Sequence, residues 1–125
     1  MTGERETAPC ILVVDDDASV RQTLSDVLTD EGYFVATAQN GAVALARLRA
    51  GLSPALILLD LMMPVLDGMA FCAAQAADPA IAAIPTIVVS AARDGERRTA
   101  RTGVSGFLQK PFGLDKLLEM VHAFI

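Results

Sequence analysis

No apolar run in this sequence approaches the roughly 18–20 residues that a membrane-spanning helix needs, so none is expected. The first residues, MTGERETAP, are polar and of mixed charge. They lack the apolar centre of a secretory signal and read as a short flexible tail over residues 1–9. Cysteine is scarce: Cys10 and Cys72 lie in apolar surroundings without metal-ligand spacing, and are expected as buried, reduced thiols of a cytoplasmic protein. Basic charge is scarce too. Lys and Arg number 10 against 15 Asp and Glu, a net charge of −5, which gives no electrostatic reason to expect direct contact with nucleic acid. No Gly/Ser/Pro-rich linker, low-complexity tract or internal repeat interrupts the chain, so residues 10–125 are read as one domain.

What the chain does have is apolar bulk and rhythm. With 125 residues and 53% hydrophobic content it can bury a proper core. Strand-like and helix-like stretches alternate, the pattern of a parallel α/β sheet. Ile11–Val14, Tyr33–Ala38, Ala55–Leu59, Thr86–Val89 and Gly106–Gln109 read as five strands. Between and after them, Val20, Leu24, Val27 and Leu28 mark a first helix, and Leu45 and Leu48 a second that Asn40 can cap. A third helix is expected around Met69–Ala77, and the last from about Leu114, with Leu117, Leu118, Val121 and Phe124 on one face. The stretch AARDGERRTARTG has no large apolar residue and gives the weakest helix, the fourth.

The first strand, CILVVDDD, ends in three aspartates. Like charges this close repel, and burial makes each more costly. Other strands end in the same manner: the third in Asp60, the fourth in Ser90, the fifth in Lys110. In an open parallel sheet, functional groups gather beyond the carboxyl ends of the strands, so these residues are expected to converge. Asp15, Asp16 and Asp60 can share a cleft as anions only with something positive among them. Mg2+ suits such a set, because it takes oxygen ligands and bridges to phosphate. Lys110 adds a point charge, Ser90 a hydrogen-bond donor, and one carboxylate can attack phosphorus to form an acyl phosphate.

The motifs VVDDD (Asp15, Asp16), LILLDLMMPVLDG (Asp60), VVSA (Ser90) and GFLQKPF (Phe107, Lys110, Pro111) resemble the receiver domains of two-component response regulators, of the stand-alone chemotaxis-regulator type. The resemblance covers residues 10–125. It implies a flavodoxin-like fold with a five-stranded parallel sheet of order 2-1-3-4-5 and helices on both faces. It also implies that Asp60 accepts a phosphoryl group from a phosphohistidine on a sensor histidine kinase or histidine phosphotransfer protein. Asp16, Asp60 and the backbone carbonyl of Met62 would ligate Mg2+, or Mn2+ in its place, with Asp15 acting through bound water. Lys110 would contact the phosphoryl group, and Ser90 and Phe107 would form a switch pair. That pair would reshape the fourth helix, fifth strand and fifth helix for a downstream protein partner. The domain would be no enzyme beyond self-phosphotransfer and autodephosphorylation. A cis Lys110–Pro111 bond follows from the same resemblance.

Other residues receive plainer readings. Asp17 is expected at the surface or at the start of the first helix, Asp67–Gly68 as the cap of the third, and His122 at the surface rather than as a phosphodonor. The arginines at 93, 97, 98 and 101, offset by Asp94 and Glu96, read as a solvated helix face, with an acidic partner as the alternative. Two other functions compete. In one, DDDAS makes Asp15 the nucleophile and Asp17 the acid/base of a haloacid-dehalogenase-like phosphatase. Those enzymes need an acidic motif after the lysine, and here only Asp115 and Glu119 follow, on the last helix. In the other, the chain is a pseudo-receiver that only docks, which predicts a lost site residue where none is lost. A stand-alone receiver is expected, with a fragment of a longer regulator as the alternative.

Overall fold

The computed structural model describes residues 9–61, 63, 65–91, 97 and 103–125. Most of the expected fourth helix, Met62 and Pro64 therefore lie outside the described residues. The order of elements is β1 (Cys10–Val14), α1 (Ala18–Asp30), β2 (Phe34–Ala38), α2 (Gly41–Arg49), β3 (Leu56–Asp60), α3 (Gly68–Ala76), β4 (Thr86–Ser90), β5 (Gly106–Gln109) and α4 (Leu114–Phe124).

The five strands form one parallel sheet in the order β2-β1-β3-β4-β5, as expected. The apolar runs of the central strands β1, β3 and β4 follow from a covering on both faces. Alternate residues of the pleat divide into two cores. Leu12, Val14, Ile57, Leu59 and Val88 pack with Leu45 and Leu48 of α2 and Phe71 of α3. Ile11, Val13, Leu56, Leu58, Ile87 and Val89 pack with Leu24 and Leu28 of α1 and Leu117 and Val121 of α4. A polar residue at either parity would meet a helix, which is why no period-two alternation is present in β1 or β3.

The caps stand where the sequence placed them. Asp17 accepts from the N–H groups of Ser19 and Val20 at 2.8 and 3.3 Å, Asn40 from Val43 at 2.9 Å, and Asp67 from Ala70 at 2.9 Å. His122 is exposed, 3.8 Å from Glu31. Neither cysteine is in a disulfide, and only Cys72 is buried. Cys10 is half-buried because β1 begins at the rim of the sheet rather than inside it. Even so, burial pushes its thiol up, against the opposing pull of Arg47 and a backbone hydrogen bond from Ala36, which keeps it a weak nucleophile at neutral pH. No helix among the described residues is long and apolar enough to cross a membrane.

β3 and β4 each run one residue further than the apolar pattern suggests. Asp60 still pairs with Val89, and Ser90 with Gln109, because in each case the next strand of the sheet carries the ladder one residue further, while the strand on the other side has already ended. The sheet order reverses between β1 and β3. Chain leaving β1 turns one way and chain leaving β3 the other, which opens a crevice above their carboxyl ends.

Candidate functional site

The crevice collects the acidic residues. Asp15 is the first residue past β1 and is 3% exposed; Asp60 closes β3 at 7%. Asp16, next along the β1–α1 turn, is exposed and forms the open side. One carboxylate oxygen from each of Asp15, Asp16 and Asp60 lies within 4.8 Å of the others. The Lys110 ammonium faces them from the end of β5, 3.1 Å from Asp15 Oδ2 and 4.0 Å from Asp60 Oδ1. Its backbone N–H donates to the Ser90 carbonyl at 2.8 Å, so β4 and the lysine are tied together, and the Lys110–Pro111 peptide is cis as expected. Ser90 is fully buried. Phe107 is half-buried on the α2–α3 side, where it pairs with Val88. Asp17, by contrast, spends its side chain on capping α1. That removes Asp17 from the acid/base role that the phosphatase reading gives it.

Three carboxylates against one ammonium is the donor set of a hard divalent cation: oxygen-only, anionic and open on one side. A soft metal would call for thiolate or imidazole, and neither is present at the crevice among the described residues. Replacing Asp16 by asparagine removes one of the crowded anions. The metal-free protein is expected to melt slightly higher, while the stabilisation by Mg2+ is lost. That stabilisation is about 1.4 kcal/mol in the wild type at ten times Kd. Thermal melts of both proteins with and without MgCl2 check this, and an undiminished metal response in the variant overturns the ligand role of Asp16.

The loop after Asp60 is held from two directions, and glycine is required at both. The Gly68 N–H donates to the Leu61 carbonyl at 2.9 Å, and the Gly41 N–H to the Leu66 carbonyl at 3.2 Å. A Cβ at Gly68 would lie 2.7 Å from Leu61 Cα and 2.8 Å from the Asp60 carbonyl; at Gly41 it would lie 2.7 Å from the Leu66 carbonyl. All three neighbours are backbone, which cannot swing aside. Gly68→Ala is therefore expected to cost about 1–3 kcal/mol and to displace Asp60. Urea unfolding together with a Mg2+ titration measures both effects. The sequence marks Gly68 only as part of a cap; the approach of α3 to the β3 exit is a tertiary fact.

The sequence matches the response regulator receiver domain over residues 11–122. The chain belongs to that family. As a receiver, it is 39% identical over 119 residues to the response regulator MprA of Mycobacterium sp. (strain KMS), which covers 92% of this chain and 50% of that protein. The receiver thus spans about half the length of this curated relative. Among solved structures, the Vibrio cholerae chemotaxis protein CheY4 superposes with a TM-score of 0.87 at 30% identity, over 95% of this chain and 100% of that one. The response regulator TrrA of Thermotoga maritima, in complex with Mg2+ and BeF, superposes with a TM-score of 0.84 at 28% identity, over 94% and 99%. The receiver is a two-component signalling domain, and receivers of this family partner with histidine kinases. The phosphatase reading is not favoured.

Proposed function

We propose that this receiver takes a phosphoryl group from a phosphohistidine onto Asp60 and passes the change to a protein partner. The observation that carries the reading is the position of Asp60: last residue of a fully buried central strand, with the acid pair on one side and Lys110 on the other. An Asp60 carboxylate oxygen forms the bond to phosphorus as the P–N bond of the donor breaks, and the electron pair returns to the imidazole. Asp16, Asp60 and the Met62 carbonyl, which is outside the described residues, would hold Mg2+ or Mn2+, with Asp15 acting through water. When bound, the cation offsets the carboxylates and polarises the phosphoryl oxygens.

Lys110 needs little movement to serve. Its ammonium already faces both buried aspartates, so it exchanges the Asp15 contact for a phosphoryl oxygen as the group arrives. Ser90, on the neighbouring strand end, donates its hydroxyl to another oxygen. Phe107 then turns inward on the half-buried side of β5, and the face expected of the fourth helix, the fifth strand and the last helix changes for the downstream partner. The domain acts in a cytoplasmic pathway, performs no chemistry beyond its own phosphorylation and dephosphorylation, and touches neither nucleic acid nor membrane itself. Acetyl phosphate with Mg2+ should label the wild-type chain once, and borohydride reduction followed by peptide mass spectrometry locates the label. Label on Asp60 supports the reading; label on Asp15 overturns it.

A further inference from the structure

We propose that Arg21 is a positioning residue of the acid site, holding the peptide between Asp15 and Asp16 so that both carboxylates keep their aim at a bound divalent cation. The proposal rests on the receiver reading above. Its basis is a hydrogen bond outside the described set of site residues: Arg21 Nη1 donates to the Asp15 carbonyl at 2.7 Å.

That carbonyl has no place in the sheet. The register of β1 ends at Val14 against both neighbours. The Asp15 N–H still reaches the Ala38 carbonyl at 3.1 Å, but β2 stops there and Asn40 turns into α2 as its cap. A carbonyl this deep must find a donor or bear the cost of burial. Arg21 is well placed to supply one. It lies one turn into α1, where its own N–H makes the helical bond to the Asp17 carbonyl at 3.0 Å. Helical side chains lean toward the helix N-terminus, which carries the guanidinium back over the turn. A cation there opposes the helix dipole, but the acidic cap Asp17 and the adjacent Asp15 and Asp16 offset that effect.

The geometric consequence reaches both carboxylates. Asp15 is restrained at three atoms: its carbonyl by Arg21, Oδ1 by the Asp17 N–H at 2.9 Å, and Oδ2 by Lys110 at 3.1 Å. The same carbonyl belongs to the peptide that carries Asp16, which has none of these restraints on its side chain. Fixing that peptide plane fixes the direction in which Asp16 leaves the backbone. Two effects of Arg21 on the cation oppose each other. Its charge repels the metal, but a half-exposed guanidinium is screened by solvent. Its hydrogen bond sets ligand geometry, to which Mg2+ is exacting. Positioning wins.

Isothermal titration with MgCl2 of the wild type, Arg21→Met and Arg21→Lys tests this, with melting temperatures recorded alongside. The Met variant is expected to bind Mg2+ roughly tenfold more weakly, the low end of the range for groups that orient a metal ligand. The Lys variant, which keeps a donor on a slightly shorter stem, is expected to recover part of the loss. Unchanged or tighter Mg2+ binding in both variants overturns the proposal, even if they melt lower, because Arg21 is then a structural clasp or a competing charge. Should the Met variant fail to fold, Arg21→Lys decides alone: a weakened site supports positioning and an unaltered one overturns it. A wild-type chain that shows no Mg2+ saturation overturns the site reading itself, and this proposal with it.

Discussion

Asp60→Asn is expected to take no phosphoryl group from acetyl phosphate, a loss to below detection rather than a slower rate. The side chains are isosteric, so the fold should remain, but the amide has no anionic oxygen to attack phosphorus. The variant also removes one anion from a cluster whose ligand atoms lie within 4.8 Å of one another, so any change in metal-free stability should be upward. Asp15→Asn makes the contrast. It keeps the proposed acceptor but weakens the partner of Lys110 and a carboxylate that would act on a bound cation through water, and labelling should slow by roughly 10–100-fold without vanishing. Phosphoprotein gels and intact-mass spectra over a time course separate the two outcomes. Persistent label in Asp60→Asn with none in Asp15→Asn would reverse the roles and restore the phosphatase chemistry.

Phe71→Ala is expected to be the most damaging single change to the fold. Phe71 is fully buried in α3 and packs into the core on the α2 side of the sheet. Loss of its transfer free energy, with the cavity left behind, should cost about 3–5 kcal/mol. Against a typical total of about 5–15 kcal/mol, that is a large share, and Tm should fall on the order of 10–20 °C. Phe34→Ala is the control: the ring is 58% exposed at the start of an edge strand, and its removal should change stability by less than about 0.5 kcal/mol. Calorimetry of the three proteins tests the pair. A small effect at Phe71 would mean that α3 collapses onto β3 and fills the space. Such a collapse would move the Gly68–Leu61 contact and show as altered Mg2+ affinity.

Much of this molecule was legible from local chemistry. Ile11–Val14 and Leu56–Leu59 are too apolar to stand anywhere but between two layers, which made the sheet parallel and buried. Asp17, Asn40 and Asp67 have side chains that accept N–H groups within their own turn, so their caps need no distant partner. The site was legible for a related reason. Strand ends are local signals, and polar groups at the same end of successive parallel strands must share an edge.

Distance-dependent features were not legible. Nothing near Arg21 in the chain says that the Asp15 carbonyl lacks a strand partner; that depends on where β2 ends, seventeen residues away. The only local hint is an arginine placed against the dipole beside an acid pair. Gly68 and Gly41 likewise look like ordinary helix starts, and their necessity appears only when the β3 exit and the acceptor loop are packed against them. Cys10 looked as buried as Cys72 because composition reports polarity, not depth. By itself, then, the sequence determined which residues are apolar, where helices begin, and which groups meet at the carboxyl edge, since these follow from side-chain chemistry and chain direction. Only the tertiary structure decided how close the groups stand and which backbone atoms are left for side chains to satisfy, because both depend on elements that meet from far apart in the chain.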